Sequence, residues 1–348
     1  MRLERRSEVS RAWLVLAPLL ALAFTLGVSS ALVASAGAPM GRAYALLLDG
    51  GFGSRFAWTE TLTRATPLIL TGLAAAVAFR ARLFNIGAEG QLYAGAIAAV
   101  AVGGAGWGLP APLLFMLMFG AAMLAGALLL LGPALLKSRF GVDEVVTTLL
   151  MNFIVLLAVS ALLDGPMKDA GAMGWPQSVA LPEALQLDKL IARSRVHSGL
   201  LFALALAPLL WAWLQFTTTG LQVRAVGANA RAAGFAGMPV GWVMVKVALV
   251  SGALAGLAGA VEVAGRTTYV TLDMSPGYGY SGIVIAMLAM LNPLAVVAAA
   301  IFVAGMLVGA DSMSRAVAVP TYIADVIVAV ALLSMLVAGM LTQFRMRR

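Results

Sequence analysis

The feature that most constrains this chain is a succession of apolar runs separated by short polar connectors, at about 12–36, 62–79, 86–104, 110–131, 144–163, 199–216, 241–264, 279–291, 294–311 and 321–342. A hydrocarbon layer of roughly 30 Å takes about 20 helical residues, and a chain inside it must satisfy its own backbone groups. The pattern therefore predicts an all-α polytopic membrane protein of ten transmembrane helices. The eighth run is short enough to start as a re-entrant or broken segment. Composition agrees: 62% of the 348 residues are apolar, 11% are charged and mean hydropathy is +0.97, whereas a soluble domain carries about 25% charged residues. With no Cys and a single His, His197, neither disulfides, thiolate chemistry nor a multi-histidine metal site is available, and no cofactor is expected.

The net charge of +8 is explained by topology rather than by nucleic acid. A basic start (Arg2, Arg5, Arg6, Arg11) keeps the N-terminus in the cytoplasm, and ten crossings return the C-terminus, with Arg345, Arg347 and Arg348, to the same side. On this topology 14 of the 23 Lys and Arg fall inside. Ala34-Ser35-Ala36 also fits a small-residue cleavage site, although the first run is long for a signal peptide. The longest connector, 164–198, is external and of mixed charge, and fits a docking surface or a solvated lid; His197 within it is expected to be solvated. The inside connector, 217–240, reads as a short helix, a Gly turn and a second short helix.

An internal echo links two regions. Thr71-Gly72-Leu73-Ala74-Ala75 leads into Asn85-Ile86-Gly87-Ala88-Glu89-Gly90-Gln91, and Ser251-Gly252-Ala253-Leu254-Ala255-Gly256 leads into Pro276-Gly277-Tyr278-Gly279-Tyr280-Ser281-Gly282. Helices two to five and seven to ten are therefore candidate inverted repeats. In transporters, matched Gly-interrupted spans point to a substrate path at the repeat interface, which brings in Tyr278 and Tyr280. Gly252, Gly256 and Gly259 fit close helix packing better.

Charge at mid-bilayer costs on the order of 3 kcal/mol, so Glu89 requires a cavity or a partner. Asn85, Glu89 and Gln91 fit a polar lining for a hydroxyl-rich solute, or a helix-end network. Asp143 fits an N-cap. Asn152, near mid-membrane, pairs with another helix or with solute. Lys246 and Glu262 fit interfacial positions at opposite ends of the seventh run. No phosphate-binding G-x-x-x-x-G-K-[ST] loop occurs, so any ATP use comes from another chain. A proton-coupled secondary carrier using Glu89 or Asp325 is the rival to an ATP-driven permease, and no nucleophile and base stand at a spacing that marks an enzyme.

Three segments together resemble the permease subunits of bacterial ABC importers of the branched-chain amino acid, ribose and nucleoside group: Leu83 to Gln91, Asp143 to Asn152, and Arg224-Ala225-Val226-Gly227 through Gly237 followed by Ser251 to Gly259. The likeness runs from about 61 to 315, and the form of the first segment is most similar to the simple-sugar and nucleoside branch. It implies a single permease domain in the bacterial inner membrane, a cytoplasmic ABC ATPase, a second permease subunit forming a heterodimer, and an extracytoplasmic substrate-binding protein. It also implies that the inside connector couples to the ATPase through Arg224, Asn229, Arg231 and Gly237. The acidic residue usual before the paired alanines is replaced here by Arg231.

Overall fold

The structure is a computed structural model that describes residues 2–5, 11–35, 37, 39–317 and 320–347. Its helices are α1 (Arg11–Ser35), α2 (Met40–Leu48), α3 (Arg55–Arg80), α4 (Ala88–Gly103), α5 (Ala111–Phe140), α6 (Glu144–Asp164), α7 (Gly199–Phe216), α8 (Thr218–Ala228), α9 (Ala230–Phe235), α10 (Val240–Glu262), α11 (Tyr278–Leu288), α12 (Pro293–Val317) and α13 (Thr321–Gln343). Each of the ten apolar runs carries a helix. Among the described residues six, namely α3, α5, α6, α7, α10 and α12, are long and apolar enough to cross a membrane. At 1.5 Å per residue α4 and α11 reach only about 24 and 16 Å, short of a roughly 30 Å layer. Neither α2 nor the first two turns of α3 is marked by hydropathy, because Gly50 to Ser54 and the charges at Arg42, Arg55, Glu60 and Arg64 break the apolar pattern. Ala36, in the cleavage-site pattern, lies outside the described residues, as does the side chain of Asp325.

The chain divides into two compact units, residues 1–61 with 302–348, and residues 62–301. In the first, α1 packs along α13, and the stretch after α2 lies against α12 through glycines. A Cβ at Gly51 would stand 2.3 Å from the Gly305 carbonyl, and one at Gly309 would stand 1.9 Å from that of Leu47. A four-residue antiparallel pairing sets Arg2 opposite Arg347, so the two ends lie side by side.

In the second unit α10 is the central element, buried nearly all round along its length and packed on α4 and α5. A helix apolar on every side belongs in such a position. Its small-residue face permits the approach: a Cβ at Gly252 would lie 2.3 Å from the Gly126 carbonyl, at Gly256 2.2 Å from that of Ala122, and at Gly259 1.9 Å from that of Leu92. These glycines serve close packing, as their spacing predicts. By contrast α6 buries one stripe, Thr148, Asn152, Val155, Val159 and Leu163, and presents Leu149, Leu150, Phe153, Ile154 and Leu157 outward. The long connector lies over the end of α10. The Leu187, Leu181 and Ser178 amides donate to the carbonyls of Ala264, Thr268 and Val270 at 2.8, 2.8 and 3.0 Å.

His197 departs from expectation. Instead of being solvated it is fully buried, its ring flat on Gly265, and neither ring nitrogen has a hydrogen-bond partner. Burial, reinforced by the positive Arg266 nearby, pushes its pKa down from 6.5 to about 4. The native state therefore binds fewer protons than the unfolded state between those values. Its packing contribution is complete above pH 6.5 and is lost as pH falls through 4, a swing of about 3 kcal/mol. Protection factors at the Leu187 and Ser178 amides, taken relative to the intrinsic exchange rate at each pH, are expected to fall over that window and to lose this dependence in His197→Phe. Unchanged protection of the wild type from pH 7 to pH 4 would refute the assignment.

Candidate functional site

The two Gly-rich stretches singled out in the sequence meet inside the second unit. Asn85 and Gln91 form a reciprocal amide pair, each donating its NH2 to the other's carbonyl oxygen at 2.9 Å. Asn85 also donates to the Ser251 hydroxyl at 3.2 Å, and Ser251 donates to the Ala74 carbonyl at 2.8 Å. Ser251 stands midway along α10, so α4 begins at mid-depth of that helix. The counterpart bond comes from the other half of the echo: the Thr71 hydroxyl of α3 donates to the Tyr278 carbonyl of α11 at 2.9 Å. Thr71 and Ser251, matched in the two sequence segments, thus each bind the entry of the other segment's short helix.

Glu89 lies at the junction. It sits in the first turn of α4, and its carboxylate accepts from the Gly279 amide in the first turn of α11 at 2.6 Å, with the Gly277 amide and the Ser275 hydroxyl also bonded to it. A Cβ at Gly279 would stand 2.2 Å from the Glu89 nitrogen, so only glycine lets the two helix starts come this close. Both helix N-termini carry partial positive charge, and the buried anion sits between them. That environment, rather than a counter-ion, accounts for a carboxylate only 4% exposed.

Asn152 completes the network. Its carbonyl oxygen accepts from the Gly90 amide at 2.8 Å, and its NH2 donates to the Ile86 carbonyl at 2.9 Å and to the Tyr280 hydroxyl at 3.1 Å. Of the six residues expected along a substrate path, Asn85, Glu89, Gln91, Asn152 and Tyr278 are at most 4% exposed in this chain, whereas Tyr280 is 39% exposed. In this chain Asn85, Glu89, Gln91 and Asn152 bond to protein groups, whereas Tyr278 accepts through its backbone carbonyl and its buried hydroxyl has no partner among the described residues. The polar clustering was visible in the sequence, but the partner backbone groups that absorb it were not.

Asp143 caps α6 through the Val145 amide at 2.8 Å, as predicted, while Glu144 is buried, pairs with Lys137 and accepts from the Phe84 amide at 3.1 Å. Glu262 is not interfacial. It is fully buried and paired with Arg266 one turn on.

The inside connector folds as two helices, but the break falls on Asn229, not on a glycine. Asn229 leaves the helical region with φ −157° and caps α9 by accepting from the Ala232 amide at 3.1 Å. Gly227 instead lies inside α8, where a Cβ would stand 1.8 Å from the Arg80 carbonyl. Arg224 is half-buried and reaches back to the Gln215 side-chain carbonyl at 3.3 Å, so it ties α8 to α7. Gly237, at φ +79°, closes α9 in the left-handed region. Arg231 is exposed, and so is Phe235, at 94%. Phe235 was missed by sequence reasoning, since an isolated aromatic in a polar connector carries no signal until the helix that projects it is known.

The profile of the family described as branched-chain amino acid transport system / permease component matches residues 58–341, and the chain belongs to that family. It is 36% identical to the guanosine ABC transporter permease protein NupP of Bacillus subtilis over 93% of this chain and 94% of that one. It is 35% identical to the glucose ABC transporter permease protein TsgB13 of Haloferax volcanii, over 99% and 93%. Against the nucleoside ABC transporter permease protein NupB of Lactococcus lactis identity is 27%, over 86% and 85%.

Proposed function

We propose that this chain is the membrane-spanning subunit of an ATP-driven importer for nucleosides or simple sugars, and that the solute passes over the face carrying Tyr280. The likeness along nearly the whole chain to a guanosine permease and a glucose permease carries the substrate class. The subunit crosses the bacterial inner membrane ten times, with α4 and α11 completed by their extended lead-ins at 81–87 and 268–277, and with both ends in the cytoplasm. It works with a cytoplasmic ABC ATPase, a second permease in a heterodimer and an extracytoplasmic binding protein.

Tyr280 is the expected path residue that a solute can touch, and its ring offers an aromatic face to a nucleobase or sugar. Asn85, Glu89, Gln91, Asn152 and Tyr278 act behind it, by holding α11 against α4 and α6. On the cytoplasmic side α9 presents Phe235 and Arg231 to the ATPase, Asn229 and Gly237 define its two ends, and Arg224 braces it through α8. ATP-driven closure of the partner moves this segment, and transport follows because the two access states bind solute differently.

The test is uptake of radiolabelled guanosine, and separately of glucose, into liposomes holding the assembled complex. Tyr280→Ala is expected to cut uptake at least tenfold with assembly intact, while Tyr280→Phe retains most of it. Full uptake by Tyr280→Ala would remove the path assignment. Uptake by this chain alone that a protonophore collapses would replace the ATP-driven reading with a proton-coupled carrier.

A further inference from the structure

We propose that the first unit binds one acyl chain of a membrane phospholipid between α1, α2, α12 and α13, with the lipid's ester carbonyl accepting a hydrogen bond from Ser29. A cavity of about 230 Å³ lies there, lined by Leu47, Phe302, Ile327, Ala331 and Met335 among others, and almost wholly apolar. A cavity of 150 Å³ with such walls takes benzene, so this one has room for a longer apolar guest.

Ser29 lines the same cavity, is fully buried, and its hydroxyl has no hydrogen-bond partner. A serine within a helix commonly turns its hydroxyl back to the carbonyl four residues earlier, which makes an unpartnered one here informative. The neighbouring Tyr44 hydroxyl is already engaged, donating to the Leu26 carbonyl at 2.9 Å and lying 3.0 Å from the Ser30 hydroxyl. Among the described residues the site thus offers one free donor on an apolar wall. Water, which needs two to four polar partners, fits it poorly, and a hydrocarbon chain with a single acceptor at one end fits it well.

Depth agrees. Ser29 lies about 27 Å along α1 from Arg11, which places it near the far boundary of a roughly 30 Å hydrocarbon layer, where ester carbonyls sit. From that level the chain would run inward past α12 and α13.

The assembled transporter, in nanodiscs of dioleoyl phosphatidylcholine doped with a diazirine-bearing analogue, is photolysed and the labelled peptides are mapped. Label is expected on the 302–306 and 327–335 segments, and Ala331→Phe, which fills the cavity, should lower it at least tenfold. Native mass spectrometry with ester-linked against ether-linked lipid isolates the hydrogen bond. Wild type should retain the ester form about fivefold better, the effect of one hydrogen bond, and Ser29→Ala should retain both equally. Labelling spread evenly over outward-facing α6 and α7 and unaltered by Ala331→Phe would overturn the site. Equal retention of the two lipids by wild type would overturn the role of Ser29. Because Ser29→Ala removes only an oxygen, it tests the proposal even where Ala331→Phe does not assemble.

Discussion

Substituting Val for Gly256 should abolish accumulation of the folded subunit. At that point three helices touch through their backbones: a Cβ on Gly256 would stand 2.2 Å from the Ala122 carbonyl of α5, and a Cβ on Gly95 of α4 would stand 2.2 Å from the Gly256 carbonyl. No rotamer relieves a clash between Cβ and backbone, so α10 must move off α5, and overpacking that displaces a central helix costs about 3 kcal/mol or more against a total stability of about 5–15. Two other glycines provide the control. Around Gly120 and Gly132 of α5 a Cβ would meet nothing within 4 Å, so Ala there is expected to raise stability by about 0.5–1 kcal/mol through helix propensity. Thermal unfolding of the detergent-solubilised complex measures all three, and a Gly256→Val protein that melts like wild type would show that α10 does not pack as described.

Glu89→Ala is the second change with a large expected effect. Removing the carboxylate leaves the buried Gly279 amide without its acceptor, and two helix N-termini face each other with no anion between them. Loss of a hydrogen bond to a charged group costs about 1.5–3 kcal/mol, and loss of the dipole interaction adds up to about 2. Assembly and melting temperature should therefore fall together with uptake. A wet lining makes a different forecast, namely transport lost from a complex of normal stability. Measuring both quantities on one preparation separates the two, and Glu89→Gln, which keeps the side-chain volume and one acceptor oxygen, should lie between Ala and wild type.

Helix positions were legible in the sequence because a helix in lipid has to be apolar along its length, so every run that satisfied this condition became one. Asp143 was legible as a cap for a similarly local reason. The packing role of Gly252, Gly256 and Gly259 also followed from spacing, although their partners on α4 and α5 did not. Misplaced residues share one cause. His197 was assigned to water from its place in a polar connector, and Glu262 to the interface from its place near the end of a run; both are buried, His197 against Gly265 and Glu262 beside Arg266. Phe235 was overlooked because its exposure depends on the direction in which α9 projects.

The residues from 85 to 91 divide what each level decides. Sequence alone required that a carboxylate and two side-chain amides inside an apolar region be compensated, since the bilayer charges kilocalories for leaving them bare. Whether the compensation comes from solute, water or protein is a matter of which donors reach them. Asn85 and Gln91 pair with each other locally, but the Ser251 hydroxyl that accepts from Asn85 and the Gly279 amide that donates to Glu89 lie 166 and 190 residues away. Only the tertiary structure, by bringing two helix starts to one point beside α10, sets the Gly279 amide against Glu89.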